Sequence, residues 1–96
     1  MGFIQIIELS TSDYEEIERL HEQWLAATEG QRSVISERIC ADRDNPGTYV
    51  MIVEFASYED AMRNNDLPAT ADIGAGMTAV SDTPPAFRNL DVLRRD

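Results

Sequence analysis

Residues 48–55, "TYVMIVEF", decide the fold of this 96-residue chain because they predict a strand that is apolar on both sides. Successive side chains of a strand point to opposite faces of its sheet. Four apolar side chains share one face and two share the other: Tyr49, Met51, Val53 and Phe55, then Val50 and Ile52. A strand with one face in water alternates apolar and polar residues instead. Both faces of this strand therefore need a cover.

Three further strands are predicted around this one. Residues 3–9, "FIQIIEL", and residues 33–42, "SVISERICAD", are rich in β-branched side chains, and "AFRNLDVL" from residue 86 supplies the last strand. The first strand is again apolar at consecutive positions. The segment 43–47, "RDNPG", is a turn signal, so the strands on either side of it are predicted to form a hairpin.

Two helical regions separate these strands. The first begins at a capping box made by Ser12 and Glu15 and ends at Gly30. The second is predicted as two short helices, at about 58–66 and 69–81, because a Leu-Pro pair interrupts the pattern between them. The asparagines that precede this pair are poor helix formers, which raises the question of what they do there.

The predicted order of elements is β-α-β-β-α-β, with the second helical region split. Right-handed crossovers on this order give an α+β, ferredoxin-like domain over residues 1–96, in which the helices cover one face of a four-stranded antiparallel sheet. No segment remains to cover the second apolar face. A second copy of the chain is the economical cover, so we expect a homodimer joined through its sheet faces.

The composition excludes several classes of protein. A hydrophobic content of 43% is typical of a globular domain, and a formal net charge of −10 disfavours nucleic acid and anionic membranes as partners. Cys40 is the only cysteine, so neither an internal disulfide nor a cysteine-based zinc site is expected. The apolar run near the N-terminus is short for an export signal or a membrane span. We expect a cytoplasmic protein.

Two stretches resemble a known group of proteins. "YVMIVEFASYEDAMRNNDLPAT", residues 49–70, is similar to the third strand and second helix of the antibiotic biosynthesis monooxygenase-like branch of the dimeric α/β-barrel superfamily. "FRNLDV", residues 87–92, is similar to its closing strand. The resemblance covers most of the chain as a pattern of elements. It implies two ferredoxin-like subunits whose sheets press together into a barrel.

The resemblance also implies candidate activities, because the branch includes cofactor-independent monooxygenases and haem-degrading oxygenases. The pattern of the resembled monooxygenases is an Asn followed four residues later by a Trp. Asn64 and Asn65 match the Asn, whereas Pro68 and Ala69 stand in place of the Trp. The pattern of the haem-degrading oxygenases has a His in the second helical region, and residues 58–81 of this chain contain none. We therefore expect no cofactor, with haem as a chemically feasible ligand that nothing beyond a single histidine supports.

His21 and Asn65 are the candidate catalytic residues. His21 is the only histidine and lies within the apolar stripe of the first helix, whereas helical spacing from Tyr58 turns Asn65 inward and Asn64 outward. His21 could act as a general base on a substrate hydroxyl, and Asn65 could hold a developing oxyanion. The alternative is structural: a core histidine bonded to a strand residue, and an amide that caps the broken helix.

Five further residues are candidates for substrate contact. Trp24 lies one turn after His21 and could stack on a planar ligand, although an aromatic at this spacing is commonly part of the core. Arg38 could bind an anion or pair with Glu54 on the neighbouring strand. The remaining candidates are apolar or aromatic residues of strand and helix: Tyr49, Met62 and Met77.

Four functions remain open at this point. As the resemblance implies, the chain could be a monooxygenase acting on a small aromatic, phenolic or quinol-like substrate. It could instead be a dimeric protein that binds a small apolar or aromatic molecule without turnover, or a haem-binding protein. Finally, Trp24, Leu25, Met62 and Met77 could fill all the space between helices and sheet and leave no site.

Overall fold

The computed structural model describes residues 2–96 and consists of four strands and three helices. Their bounds are β1 Phe3–Ser10, α1 Tyr14–Ala27, β2 Val34–Ala41, β3 Thr48–Phe55, α2 Tyr58–Asn65, α3 Pro68–Val80 and β4 Ala86–Asp91. The predicted ferredoxin-like order is confirmed, with the second helical region present as the two helices α2 and α3. Within the described residues no helix is long and apolar enough to cross a membrane.

The strand quoted at the outset, β3, lies inside the sheet. The strand order is β2-β3-β1-β4, and every neighbouring pair is antiparallel. Ile52 of β3 lies opposite Ile6 of β1, and Tyr49 lies opposite Ala41 of β2, which confirms the predicted hairpin. The β2–β3 pairing shifts register between Val34 and Ser36.

The helices pack on the face of the sheet that carries Met51, Val53 and Phe55. The shortest dimension of the molecule is 18 Å, which suits one sheet and one layer of helices. Ile17 of α1 and Phe55 are almost completely buried, with exposures of 0% and 1%. Truncating such a side chain to alanine typically costs about 2–5 kcal/mol of stability, so this layer supplies the main core.

The opposite face of the sheet carries no helix. Its central positions are apolar and only partly buried, at Ile4, Ile6, Val50, Ile52 and Leu90. One corner is covered by the C-terminal segment, where the amide of Val92 donates to the carbonyl of Gly2 at 2.9 Å and Arg95 forms an ion pair with Glu54.

The break in the second helical region has a local cause. Pro68 opens α3, where its missing N–H is harmless and its φ is already helical. A proline disfavours helical geometry at the preceding residue, and Leu67 accordingly has φ −67° and ψ 130°. The amide of Leu67 still donates to the carbonyl of Asn64 at 3.3 Å. The chain therefore turns between α2 and α3 without a long loop.

The ends of α1 differ slightly from the sequence prediction. The cap is Asp13, whose Oδ1 accepts from the amide of Glu16 at 3.3 Å, so the predicted box of Ser12 and Glu15 is wrong by one residue. The helix ends at Ala27, and Gly30 follows in a turn with φ +79°, a conformation that favours glycine.

An added methyl group is expected to have different effects on stability at two glycines of α3. A Cβ at Gly74 meets no heavy atom within 4 Å, whereas a Cβ at Gly76 lies 3.0 Å from Cδ2 of Leu20. Replacing a helical glycine by alanine normally stabilises a protein by about 0.5–1 kcal/mol. We expect Gly74→Ala to raise the free energy of unfolding by that amount, and Gly76→Ala to raise it less or to lower it. Urea denaturation measures both, and equal gains would contradict the close contact between α1 and α3.

Candidate functional site

A cavity of about 460 Å³ lies between the helices and the sheet and is partly open to solvent. This volume is within the range of small-molecule sites in proteins. Most of its wall is apolar, with major contributions from Trp24, Met51, Val53, Ile73, Met77 and Phe87. Its polar side chains come from six different elements: Gln5, His21, Glu37, Asn64, Asn65, Thr70, Thr78 and Asn89. The space between helices and sheet is therefore not completely filled.

His21 of α1 forms an ion pair with Glu37 of β2 inside this cavity. The two atoms that meet are Nε2 of His21 and Oε1 of Glu37, 3.1 Å apart, and the side chains are only 15% and 20% exposed. The hydrogen bond to Glu37 raises the pKa of His21 above its ordinary value of 6.5, against the opposing effect of burial. The negative charges of Glu37, Glu22 and Glu18 act in the same direction.

The placement of His21 is compatible with both of the roles between which the sequence left a choice. Its bond to a strand residue satisfies one ring nitrogen, and its ring also lines the cavity. The sequence analysis did not identify Glu37 as the partner of His21. A weak signal for Glu37 existed: it shares its strand face with Ile39, which packs against the core.

The prediction for the asparagines of α2 is wrong in phase. Asn64 is buried with 6% exposure, whereas Asn65 is exposed, although both side chains line the cavity. The buried side of α2 centres on Ala61 and Asn64. Tyr58, from which the inward direction was counted, is 53% exposed and meets the ring of Phe3 edge-on, with ring centroids 5.4 Å apart.

Asn64 contains a buried amide oxygen without a protein partner. Its Oδ1 makes no hydrogen bond within the described residues. A buried polar atom left in this state typically costs about 1–3 kcal/mol. An amide can present either an acceptor or a donor by rotating through a half turn. Asn64 is therefore suited to bind a polar group of a ligand, and it replaces Asn65 as the inward-facing residue.

Trp24 and Met77 both line the cavity. The ring of Trp24 stacks on His21 with centroids 5.9 Å apart, and its Nε1 donates to Oγ1 of Thr70 at 3.0 Å. The guanidinium of Arg32 lies 5.5 Å from the centroid of the same ring. Trp24 is thus held by three neighbours, and its indole N–H is already satisfied by the protein.

Three of the predicted substrate contacts lie elsewhere. Arg38 pairs in register with Ile52 and is exposed on the opposite face of the sheet, where Glu54 pairs with Arg95 rather than with Arg38. Tyr49 stacks on Tyr14 at 4.6 Å between ring centroids, away from the cavity wall. Met62 packs against the smaller core cluster that contains Phe3 and Phe55. Arg38, Tyr49 and Met62 therefore do not line this cavity.

Residues 2–96 hold no group of three or more His, Cys, Asp or Glu side chains placed to bind one ion. Gly76 of α3 packs closely against Leu20 of α1.

Comparison with known proteins relates the fold to solved structures. No family model matches the chain, and no curated protein matches it. The cofactor-independent oxygenase SnoaB from Streptomyces nogalater has a TM-score of 0.81 and 14% identity, covering 98% of this chain and 95% of that one. A dimeric ferredoxin-like protein of unknown function from Jannaschia has a TM-score of 0.82 and 12% identity, covering 96% and 100% of the two chains.

A third structure, an antibiotic biosynthesis monooxygenase, has a TM-score of 0.77 and 12% identity, and it covers 98% of this chain and 100% of its own. Identities at this level show a shared fold. The resemblance inferred from the sequence is confirmed at that level: this chain has the ferredoxin-like fold of antibiotic biosynthesis monooxygenase-like proteins over nearly its full length.

The pair of His21 and Glu37 predicts a pH-dependent contribution to stability. Because the pKa of His21 is raised in the folded protein, this contribution is fully present below about pH 6.5, the unfolded value, and is lost as the pH rises through the folded pKa. We expect Glu37→Gln to destabilise the protein more at about pH 6 than at about pH 9. Denaturation at both values and NMR titration of the single histidine measure the effect.

Glu29→Gln is the matched control, because it removes the same charge from an exposed position outside the cavity. A pKa of His21 that is equal in the wild type and in Glu37→Gln would contradict the assigned pair.

Proposed function

We propose that this chain is a cofactor-independent monooxygenase of small aromatic, phenolic or quinol-like substrates, with the reaction in the cavity beside His21. The observation that carries the proposal is the presence in one cavity of a His–Glu pair and a buried amide oxygen without a partner in the described residues. The fold shared with SnoaB, a cofactor-independent oxygenase, supports the same reaction class.

His21 is the general base in this proposal. When Nε2 of a neutral imidazole donates its hydrogen to Glu37, the other ring nitrogen carries a lone pair that can accept a proton from a substrate hydroxyl or an acidic C–H group. The carboxylate of Glu37 then stabilises the imidazolium that forms. Its raised pKa makes His21 a stronger base than a free imidazole, which favours removal of the proton.

Asn64 and Trp24 hold the substrate in the same proposal. The amide N–H₂ of Asn64 donates to the oxygen on which negative charge develops, the role that the sequence analysis gave to Asn65. The face of Trp24 stacks on the aromatic ring of the substrate. The hydrogen bond from Asn64 becomes stronger as negative charge develops on that oxygen.

Molecular oxygen is the second substrate. The anion gives electrons to O₂, a C–O bond forms, and the proton held by His21 completes a hydroperoxide. Loss of water from the hydroperoxide leaves a ketone or quinone. One oxygen atom of O₂ enters the product and the other leaves as water, so the reaction balances without an added reductant.

The proposal includes a homodimer joined through the sheet face that carries no helix. Ile6 and Ile52 lie opposite each other at the centre of that face, and Ile4, Val50 and Leu90 extend it. A contiguous apolar surface of this kind is expected to bury itself against a second copy. The Jannaschia protein of the same fold is dimeric, which supports this assembly.

A second candidate is a dimeric protein that binds an apolar or aromatic molecule without converting it. The feature that favours it is the start of α3 at Pro68, since Pro68 and Ala69 stand where the resembled monooxygenase pattern has a Trp. In that case the same cavity captures its ligand, and His21 and Asn64 serve in recognition alone.

Oxygen consumption with anthrone and with a hydroquinone separates the two candidates. We expect uptake by the wild type, and a fall in kcat of at least about 100-fold in His21→Ala, because the general base is lost. Gln23→Ala is the control, since Gln23 is an exposed residue of the same helix outside the cavity. Saturable binding without uptake favours the second candidate, and unchanged turnover in His21→Ala removes the mechanism.

A further inference from the structure

The cavity carries an unusual balance of charge. Of the residues that line it, only His21 and Glu37 are ionisable, and the lining contains neither arginine nor lysine. Outside the lining, the guanidinium of Arg32 lies over the ring of Trp24. Its Nη1 donates to the carbonyl of Leu25 at 2.6 Å and to Oγ1 of Thr28 at 3.2 Å, so this group is already engaged outside the lining.

Because of these charges, the cavity is expected to bind anionic ligands more weakly than neutral ones. An ionised ligand brings a negative charge into a mostly apolar space that already contains the carboxylate of Glu37, and no unpaired cation of the lining offsets it. A neutral ligand avoids this repulsion. Even if such a ligand gives a proton to His21, the net charge of the cavity stays the same, because the proton moves within the site.

We propose that the cavity selects uncharged aromatic ligands and that Glu37 is the residue that excludes their carboxylated analogues. The proposal rests on the ligand-binding part of the proposed function and adds the class of ligand. The whole chain favours the same selection, since 18 acidic and 8 basic residues give a formal charge of −10. Glu37 has a specificity role here in addition to positioning His21.

A pair of ligands that differ only in charge tests this selection. 2-Naphthamide and 2-naphthoate have nearly the same shape, and at about pH 8 the first is neutral and the second is an anion. Titration calorimetry on the wild type is expected to give a Kd at least about tenfold lower for the amide than for the acid. The reason is that the carboxylate of the naphthoate is repelled by the carboxylate of Glu37 in a partly buried site, where such repulsion is only weakly screened. Equal affinities, tighter binding of the naphthoate, or no binding of either compound would overturn the proposal.

Variants identify the residue responsible. Glu37→Gln is expected to bring the two affinities to within about threefold by strengthening the binding of the naphthoate, since the substitution keeps the size of the side chain and removes its charge. Glu29→Gln lowers the total negative charge equally at an exposed position, and the tenfold preference is expected to remain. A preference unchanged by Glu37→Gln would show that Glu37 does not cause it. The comparison of amide and acid on the wild type stands even if Glu37→Gln does not fold.

The outcome is distinct from that of the oxygen-uptake experiment. A clear preference for the amide without oxygen uptake by any substrate removes the proposed chemistry and leaves the selection intact. Oxygen uptake together with equal binding of amide and acid leaves the chemistry and overturns the selection.

Discussion

In the centre of the sheet, β3 places apolar side chains on both of its faces while three helices lie on one side only. On the helical side, Met51 and Val53 are buried and also form part of a cavity wall. On the other side, Val50 and Ile52 belong to a partly exposed apolar surface. The need to cover both faces of this one strand sets the position of the helices, the place of the cavity and the expected assembly.

The break at Pro68 links the fold to the site. An uninterrupted second helix would follow a single axis across the sheet, whereas the turn between α2 and α3 brings polar side chains of one helix and apolar side chains of the next to the same space. Asn64 and Asn65 are the last two residues of α2, and Thr70, near the start of α3, accepts a hydrogen bond from Trp24. This answers the question raised by the asparagines: they lie where the helix ends and where the cavity begins.

Much of the fold could be predicted because its signals are local. The alternation of β3, the turn between β2 and β3, and the proline between α2 and α3 each involve a few neighbouring residues. The pairing of His21 with Glu37 could not be predicted in the same way, since it depends on how β2 lies relative to α1. A shift of one residue in a strand moves a side chain to the other face, and β2 contains such an irregularity near its start.

The errors at the site have the same origin. With only eight residues, α2 gives too few turns to fix its inward direction from spacing, so Asn64 and Asn65 exchanged roles. The charge of Arg38 left anion binding and pairing with Glu54 both open, and the register of β2 places Arg38 on the face away from the helices. Residue type indicated which groups could carry chemistry, and tertiary placement decided which of them meet.

The proposed homodimer and the fold of the sheet both depend on the apolar face of the sheet that no helix covers. The mass of the protein in solution tests this dependence most directly. Sedimentation equilibrium of the wild type at micromolar concentration should give twice the chain mass of 10.8 kDa. Ile52→Arg should give the mass of one chain. Ala26→Arg, on the exposed side of α1, should still give the mass of two chains. A folded wild-type particle of one chain at that concentration would contradict the account.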